Sequence, residues 1–359
     1  MKSIVPIIAI LGLAISLPAV AQQSFGLAQV RNQLPFDQLF LGLIPTTAQT
    51  LAPGKLQCSI SATWSNTFIM SDSIRNWADV YWPTGRHHLR RADLRQIEAA
   101  SPNSDLYFYD GEVIRWNLHM HYGLTNTIEL TVNTSIHSRG GGFADSSIES
   151  FHNVLNIGNA DRERFIQNHF AVFLKMDGHE FFHDGAPANT VMGDTSFSLK
   201  IRSPHLWHGW LAAGAIAVKA PTGNSHLFGG SGHWDEQLAG YVSRALGPGW
   251  FHVNAAYTIL GNIDALPSLD TTNLWTFVAG YEIWSPHHTI NWVLQTEISS
   301  SPFADTTSAD LGDPSYLLLL GARIPTSPNA HLSFAVMENI FQFDDSTDIA
   351  LHAGYTVTF

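Results

Sequence analysis

The segment HEFFH, residues 179–183, has the spacing of the zinc-protease motif H-E-x-x-H. That chemistry needs a helix, which brings His179 and His183 to one face and places Glu180 beside a metal-bound water. Asp-Gly pairs flank the segment on both sides and leave too little room for such a helix. We therefore expect a loop hairpin within residues 165–183, and we predict neither a metal site nor a cofactor.

A second segment with reactive side chains is IHSRGGG, residues 136–142, in which a histidine stands next to a serine. Outer-membrane lipid hydrolases carry a His-x-Ser pair at the outer rim of a barrel of twelve or fewer strands. Here His137 and Ser138 are adjacent, so on a strand they point to opposite faces and do not readily share a proton. Lipid hydrolysis therefore stays an alternative, and no catalytic residue is predicted.

The stretch of residues 75–104 is locally basic in an otherwise acidic protein. Its arginines are Arg86, Arg90, Arg91 and Arg95. Guanidinium groups bind phosphate oxygens in bidentate fashion, so arginines just outside a membrane can contact the phosphates of lipopolysaccharide. A run of charges is otherwise a solvated surface, and both interpretations stay open.

The long stretch of residues 138–192 has the pattern of a helix on a hinge. Its hinge residues are Gly140, Gly141 and Gly142. The Ser146-x-x-Glu149 spacing then predicts a capping box, followed by a helix over residues 147–157 with an apolar stripe. The stripe consists of Ile148, Phe151, Val154 and Leu155. Such a helix either closes a barrel mouth as a gate or packs on the neighbouring segment RFIQNHFAVFLK, residues 164–175.

The elements that position these residues show a period of two. In residues 112–122 every second side chain is apolar, from Ile114 to Tyr122, and the side chains between are polar, from Arg115 to His121. This alternation is typical of strands with two unlike faces. The predicted strands cover residues 55–70, 111–122, 127–137, 193–202, 208–219, 236–246, 250–260, 273–284, 288–299, 315–325, 330–341 and 348–359.

The connections between these strands alternate in length. Short joints rich in Gly, Pro and Asn follow every second strand, and longer polar loops follow the others, which is typical of outer-membrane barrels. The last strand ends on Phe359 and leaves an apolar face that lipid can cover. We therefore predict an all-β fold, an antiparallel transmembrane β-barrel of about 12 strands with short periplasmic turns and long extracellular loops. A soluble β-sandwich also alternates but explains the last strand poorly.

The first part of the chain divides into two predicted pieces before the barrel. Residues 1–21 have the charged start, the apolar run and the Ala-Val-Ala end of a cleaved signal peptide, which predicts export to the outer membrane of a Gram-negative bacterium. Residues 22–53 are long and apolar enough to form a plug in the lumen, and the barrel is expected over residues 54–359. The single cysteine, Cys58, excludes an internal disulfide.

The polar faces of the strands predict the lining of the lumen. The candidate lining residues are Arg115, His119, His121, Glu129, His137, Lys200, His252, Glu282, Glu297 and His352. These side chains either pair across a filled interior or line a path, and the strand number alone leaves both open. The net charge of −12 argues against a nucleic-acid partner.

Several segments resemble a known family, the proteobacterial domain of unknown function numbered 3187. They are VRNQLPF (30–36), WSNTF (64–68), YDGEVIRWNLHMHYGL (109–124), HSRGGGFADSSIESFHNVLNI (137–157) and VKAPTGNSHLFGGSGHWD (218–235). The resemblance implies an outer-membrane barrel and brings no assigned activity. The long first connection, residues 75–104, departs from the family pattern.

The sequence as a whole favours a channel or transporter for a small, apolar or amphipathic molecule. The polar lumen, the hinged helix and the plug are the features that point to it. The alternatives are an outer-membrane lipid hydrolase and a structural or surface-binding envelope protein with a closed lumen. The expected partners are outer-membrane lipid, lipopolysaccharide, the barrel-assembly machinery and a small-molecule substrate.

Overall fold

The structure is a computed structural model that describes residues 24–155, 158–176, 179–185, 190–266, 270–285, 287, 289–303, 309–340 and 347–359. The predicted signal peptide, residues 1–21, lies outside the described residues. Within the described residues no helix has both the length and the apolar character needed to cross a membrane.

The described chain is built mainly of antiparallel strands. They are β1 (Leu56–Met70), β2 (Leu106–Gly123), β3 (Ile128–Gly140), β4 (Ala171–Met176), β5 (His179–Asp184), β6 (Thr190–Met192), β7 (Thr195–Arg202), β8 (Trp210–Ala220), β9 (Asp235–Leu246), β10 (Gly249–Ile259), β11 (Leu274–Trp284), β12 (Asn291–Ser299), β13 (Ser315–Ser327), β14 (Ala330–Asn339) and β15 (Ile349–Thr358). The order in the sheet follows the chain, and β15 returns to pair with β1.

Twelve of these strands form the closed wall, which confirms the predicted barrel. The strand β6 pairs with the last part of β3, beyond the residues that pair with β7. In the β4–β5 hairpin, β4 pairs with the first residues of β2. Each predicted strand matches a wall strand, with bounds that differ by at most a few residues. The period of two survives in the structure because a closed wall gives every strand one inner and one outer face.

The outer face of the wall is an apolar band. On β2, Ile114, Trp116, Leu118, Met120 and Tyr122 are exposed, whereas the residues between them are buried. The same alternation continues around the barrel, with exposed Phe197, Ile216, Leu238, Tyr257, Phe277, Trp292, Leu294, Leu320, Phe334, Val336 and Leu351. An exposed apolar surface of this extent is foreign to soluble monomers and is the lipid-facing belt of an outer-membrane barrel.

The two ends of the barrel differ in their connections. At one end, which we call the turn end, β2–β3, β7–β8, β9–β10, β11–β12 and β13–β14 are joined by short connections. The opposite end, the loop end, carries the helices α1 (Asp72–Tyr81), α2 (Arg91–Ala100), α3 (Asp145–Leu155) and α4 (Ala309–Gly312) together with the β4–β5 hairpin. The segment HEFFH lies in β5, so the predicted loop hairpin is observed there.

The loop end has an apolar core of its own. Buried side chains of α1 and α2, such as Ile74 and Leu94, pack with Phe68, Phe108 and Phe173 from the strand ends. Phe68 and Phe108 meet edge to face with ring centroids 5.8 Å apart. The long connections therefore form an ordered layer above the barrel.

Candidate functional site

The lumen contains the chain's own residues 24–55, which we call the inner segment. Its hydrogen bonds show that the segment runs from the turn end to the loop end and back. Leu41 N–H donates to Asp235 at the start of β9, which lies at the loop end. Leu51 N–H donates to Glu129 near the start of β3, which lies at the turn end. Gly26, with φ of +80°, lies against the backbone of Thr47, so the two limbs run side by side. The inner segment is therefore a doubled-back chain inside the wall.

The inner segment is almost free of regular structure, which explains why the wall around it is polar. Its described secondary structure is one 3-10 turn, Asp37–Leu39. Many of its backbone N–H and C=O groups are buried and need hydrogen-bond partners, since an unpaired buried polar group costs several kcal/mol. Some of these groups pair within the segment, and lumen side chains provide partners for others.

Glu282 anchors the start of the inner segment near the turn end. Its carboxylate accepts hydrogen bonds from the Ser24 hydroxyl and from Gly26 N–H at 3.2 Å. On the wall side, His252 Nε2 lies 3.2 Å away and Arg323 Nη1 3.5 Å away. The carboxylate of Glu282 thus connects the first described residues of the inner segment to His252 on β10 and Arg323 on β13.

Lys219 anchors the far point of the inner segment at the loop end. Its Nζ donates to the carbonyl oxygen of Leu39 at 2.7 Å, and it lies 3.1 Å from Asp235 and 2.8 Å from Asp194. Asp235 in turn accepts from Leu41 N–H at 2.7 Å. The buried ammonium of Lys219, between the carboxylates of Asp194 and Asp235, therefore holds the bend of the inner segment in place.

Glu129 anchors the returning limb. It accepts from Leu51 N–H at 2.8 Å and pairs with Lys200 Nζ at 2.9 Å, and His121 Nδ1 lies 3.4 Å away. Between the anchors, wall amides and hydroxyls meet the backbone of both limbs. These contacts are Gln295 to Ala28, Asn254 to Thr46 and Ser243 to Ala48, with distances of 2.8 to 3.0 Å.

The bend of the inner segment closes the loop end with an apolar cluster, which we call the tip cluster. The segment contributes Leu34, Phe36 and Phe40, which are buried to within 3% of full burial. Phe36 meets Tyr109 and Phe303 edge to face, with ring centroids 6.0 and 6.1 Å apart. Burial of each large side chain here contributes about 1.5–3 kcal/mol to the closed arrangement.

A cavity of about 290 Å³ remains in the lumen towards the turn end. It lies between the inner segment and the wall strands β1, β2 and β13 to β15. His119, His352, Lys200 and Arg323 contribute to its lining. Neither ring nitrogen of His119 has a hydrogen-bond partner among the described residues, so this imidazole is available to a molecule in the cavity.

The ten candidate lining residues all lie on the inner face of the wall. The structure brings several of them together in the anchors, with Glu282 beside His252 and Glu129 beside Lys200. Lys219 was not among the predicted lining residues, although the period of two along β8 places it inward. The sequence also did not predict that many of the lining side chains bind backbone groups of the inner segment.

His137 makes a contact that the sequence analysis did not foresee. Its Nε2 lies 2.9 Å from the hydroxyl of Ser135, two residues earlier on the same face of β3. Both side chains are buried in the lumen. The serine that contacts His137 is therefore Ser135, and Ser138 points to the other face of β3.

Of the three glycines predicted to form a hinge, Gly141 and Gly142 are tightly packed, whereas a Cβ on Gly140 would meet nothing closer than 4.0 Å. Gly140 is the last residue of β3 and pairs with Glu112. A Cβ on Gly141 would lie 2.1 Å from the carbonyl oxygen of Asn168, and one on Gly142 would lie 1.8 Å from the Glu112 carboxyl. Neighbouring groups approach Gly141 and Gly142 closely, so a side chain would not fit at either position, and the hinge itself stays a prediction.

The helix α3 also differs from the predicted gate. It begins at Asp145, and Glu149 accepts from Arg86 Nη2 at 2.6 Å, so the predicted capping box does not form. Ile148 is buried, whereas Phe151 is 49% exposed and Val154 is 84% exposed. The side chain of Leu155 lies outside the described residues. The apolar stripe therefore does not pack as a unit in the barrel mouth.

A buried ion cluster fixes the start of α3. Arg162 donates to Asp145 Oδ1 at 2.7 Å and also binds Asp348, which precedes β15. Its guanidinium lies over the ring of Phe68 at 4.8 Å. Asn168 N–H donates to the other oxygen of Asp145 at 2.6 Å. These bonds hold α3 in place on the loop end.

The four arginines of the first connection divide into two groups. Arg86 pairs with Glu149, and Arg91 Nη2 pairs with Glu180 at 2.6 Å, so both guanidinium groups serve contacts between loops. Arg90 and Arg95 are exposed on α2 and its N-terminal flank. Among the described residues, neither Arg90 nor Arg95 forms an ion pair with another loop.

The sequence model of a family described as "Protein of unknown function (DUF3187)" matches residues 95–359. No curated protein matches the sequence.

Among solved structures, an outer-membrane channel from Pseudomonas putida F1 aligns with a TM-score of 0.53 and 11% identity. The alignment covers 89% of this chain and 100% of the channel. The NanC porin aligns with a TM-score of 0.42 and 9% identity, over 68% of this chain and 93% of its own. Outer membrane phospholipase A from Escherichia coli gives 0.35 and 12%, over 84% and 92%. The first alignment supports the barrel fold.

Proposed function

The chain belongs to the DUF3187 family of unknown function, and from this premise we propose that it is a channel or transporter for a small molecule, gated by its own inner segment. The observation that carries the proposal is the doubled-back inner segment, which fills a polar lumen through hydrogen bonds to the wall. A barrel of about eight strands is filled by its own side chains, whereas this wall has twelve strands and encloses the inner segment.

The contacts of the inner segment suit a movable gate. Most of them are single hydrogen bonds between a wall side chain and a segment backbone group. Their replacement by water costs roughly 0.5–1.5 kcal/mol for a neutral side chain and roughly 1.5–3 kcal/mol for a charged one. The tip cluster supplies the apolar part of the closed state. Opening therefore means withdrawal of the bend from the tip cluster, with the wall unchanged.

The cavity near the turn end narrows the class of molecule. The sequence analysis favoured an apolar or amphipathic molecule, but the lining carries Lys200, Arg323 and several imidazoles. The free imidazole of His119 offers a hydrogen bond to a polar group. We therefore favour a small molecule with a polar group, sized to a cavity of about 290 Å³.

The same proposal includes the location and the partners. The outer-membrane barrel fold and the lipid-facing belt support insertion in the outer membrane of a Gram-negative bacterium by the barrel-assembly machinery, with the loop end outside. Arg90 and Arg95 are then the residues that contact lipopolysaccharide phosphate.

A disulfide lock tests the gate. The hydroxyl oxygens of Thr47 and Ser243 lie 3.4 Å apart, one on the inner segment and one on the wall. In a Cys58→Ser background, we expect Thr47→Cys with Ser243→Cys to lose single-channel conductance when oxidised and to regain it on reduction. The lock holds the returning limb against β9, so the segment cannot withdraw.

The matched control locks two wall strands. Ser59 on β1 and Thr356 on β15 have hydroxyl oxygens 2.7 Å apart, and the pair Ser59→Cys with Thr356→Cys leaves the inner segment free. This variant should conduct in both redox states. Equal conductance of the oxidised and reduced Thr47/Ser243 variant would rule out the gate, and a silent wild type would favour the closed-lumen structural protein.

A second candidate function is lipid hydrolysis, and one observation favours it. Ser135 and His137 form a hydroxyl–imidazole pair at 2.9 Å, the arrangement of a nucleophile and its base. The pair points into the lumen, away from the lipid-facing belt, so a lipid substrate would have to enter the barrel. Fatty-acid release in detergent that disappears in Ser135→Ala would establish this function instead.

A further inference from the structure

We propose that the loop end holds a zinc ion between His88, His169 and Asp184. The ligand atoms of these three side chains all lie within 4.8 Å of one another. His88 Nε2 lies 2.9 Å from Asp184 Oδ1, and His169 Nε2 lies 2.6 Å from the same oxygen. Two imidazoles and one carboxylate are a ligand set that zinc uses in proteins.

The three residues come from separate parts of the chain. His88 lies between α1 and α2 in the connection from β1 to β2, His169 lies just before β4, and Asp184 is the last residue of β5. The histidines of the motif HEFFH are not ligands of one ion. They lie four residues apart on the extended strand β5, which places them too far from each other. The residue that joins the site is the aspartate immediately after the motif.

The backbone around each ligand is held by its own hydrogen bonds. His87 N–H donates to Arg164 O at 2.7 Å and Ile166 N–H donates to His87 O at 3.1 Å, which ties the first connection to the second. Asp184 pairs with Ala171 across the β4–β5 hairpin. The neighbours of the ligands are therefore fixed before a metal arrives, which lowers the ordering cost of binding.

The distances fit a small adjustment of side chains. Tetrahedral zinc with ligand bonds of about 2.0–2.1 Å places its ligand atoms roughly 3.4 Å apart. The two short contacts to Asp184 must open slightly and the two imidazole nitrogens must approach each other. The imidazole rings already lie edge to face with centroids 4.6 Å apart.

The three side chains are accessible from solvent. They keep 23 to 30% of their surface exposed, so an ion and a water ligand can reach them. Arg91, three residues after His88, is paired with Glu180.

The site has a consequence for the loop end. A bound ion would join the first connection, which carries α1 and α2, to the β4–β5 hairpin by bonds stronger than the present hydrogen bonds. The hairpin contributes Phe170, Val172 and Leu174 to the cluster that also holds the inner-segment bend. Zinc would therefore stiffen the layer that covers the tip cluster.

The test uses the full chain without a histidine tag, purified in detergent, stripped with a chelator and titrated with zinc chloride against a chromogenic zinc indicator. We expect one tight zinc per chain. His88→Ala and Asp184→Asn should each weaken that site by at least roughly 10- to 100-fold, the loss that even an outer partner of a metal ligand causes. Cobalt(II) in place of zinc should give the intense visible spectrum of a tetrahedral site.

The matched control is another histidine–aspartate pair of the same chain. His233 Nε2 lies 3.0 Å from Asp264 Oδ1. His233→Ala should leave the tight site intact. Heat-modifiable migration on gels shows that each variant is folded. Absence of tight zinc in the wild type, or equal binding in folded Asp184→Asn, would overturn the proposal, and neither result affects the gating experiment.

Discussion

At the residue scale, Asp37 is the side chain whose state should follow the acidity of the solution. It lies at the bend of the inner segment, where Asn32 Nδ2 donates to its Oδ2 at 2.7 Å. Its Oδ1 is buried without a partner among the described residues. Desolvation by burial raises the pKa of this carboxyl from 3.8 to about 7, although Arg31 and Asn32 pull it down.

This raised pKa predicts that the closed state weakens as the pH rises. A carboxyl that binds its proton more tightly in the closed state stabilises that state below the ordinary pKa, and the stabilisation is lost as the pH passes from about 4 to about 7. We therefore expect a higher open probability at about pH 8 than at about pH 5, measured by single-channel recording.

The variant Asp37→Asn tests the assignment of this pH response. The amide has the shape of the protonated carboxyl and does not ionise, so the rise in open probability between about pH 5 and about pH 8 should be smaller than in the wild type. A pH response of wild-type size in this variant would place the titrating group elsewhere.

At the scale of elements, the loop-end helix α3 shows how a correct pattern can be assigned to the wrong partner. The amphipathic stripe is real, but the contacts that fix α3 come from Arg86 and Arg162 in other connections. Helical spacing within one segment carries no information about such distant partners. The stripe has one buried member, Ile148, and two exposed members, Phe151 and Val154.

Ile148 and Phe151, a buried and an exposed member of the stripe, give a matched pair of variants. Ile148→Ser removes a side chain that is 7% exposed, and we expect a loss of about 1.5–3 kcal/mol from the local stability of the loop end. Phe151→Ser changes a side chain that is 49% exposed and should leave it unchanged. Hydrogen exchange of α3 amides measures both effects. Faster exchange in Phe151→Ser alone would reverse this assignment.

The sequence predicts the wall well and the loop end poorly, for a physical reason. Each wall strand faces lipid on one side and a polar interior on the other, so the alternation is imposed on every strand and can be read locally. The packing of Gly142 against Glu112 and the meeting of His88 with Asp184 depend on groups far away in the chain. The polar lumen residues were predicted, but their partners in the inner segment were not.

At the scale of the whole molecule, the barrel is completed by the pairing of β15 with β1. The register runs from Asn66 opposite Ile349 to Gln57 opposite Thr358. Beyond it, Phe359 N–H donates to Leu56 O at 2.7 Å, and Leu56 N–H donates back at 3.4 Å. The last residue thus belongs to the seam of the barrel.

Deletion of Phe359 should therefore impair closure. It removes the two terminal backbone bonds of the seam and an exposed aromatic side chain at the membrane face. We expect a smaller fraction of heat-modifiable, folded protein in the outer-membrane fraction than for the wild type. Phe359→Tyr keeps the backbone and the ring and should restore assembly. Normal assembly of the deletion variant would show that the seam does not need its last pair.

The course of the inner segment also bears on the order of assembly. A doubled-back chain that enters and leaves by the turn end can slide in or out without drawing a free terminus through the lumen and without parting any wall strands. No knot or threaded loop has to form. The topology therefore permits the wall to close before the segment is seated, so that an empty barrel can precede the filled one.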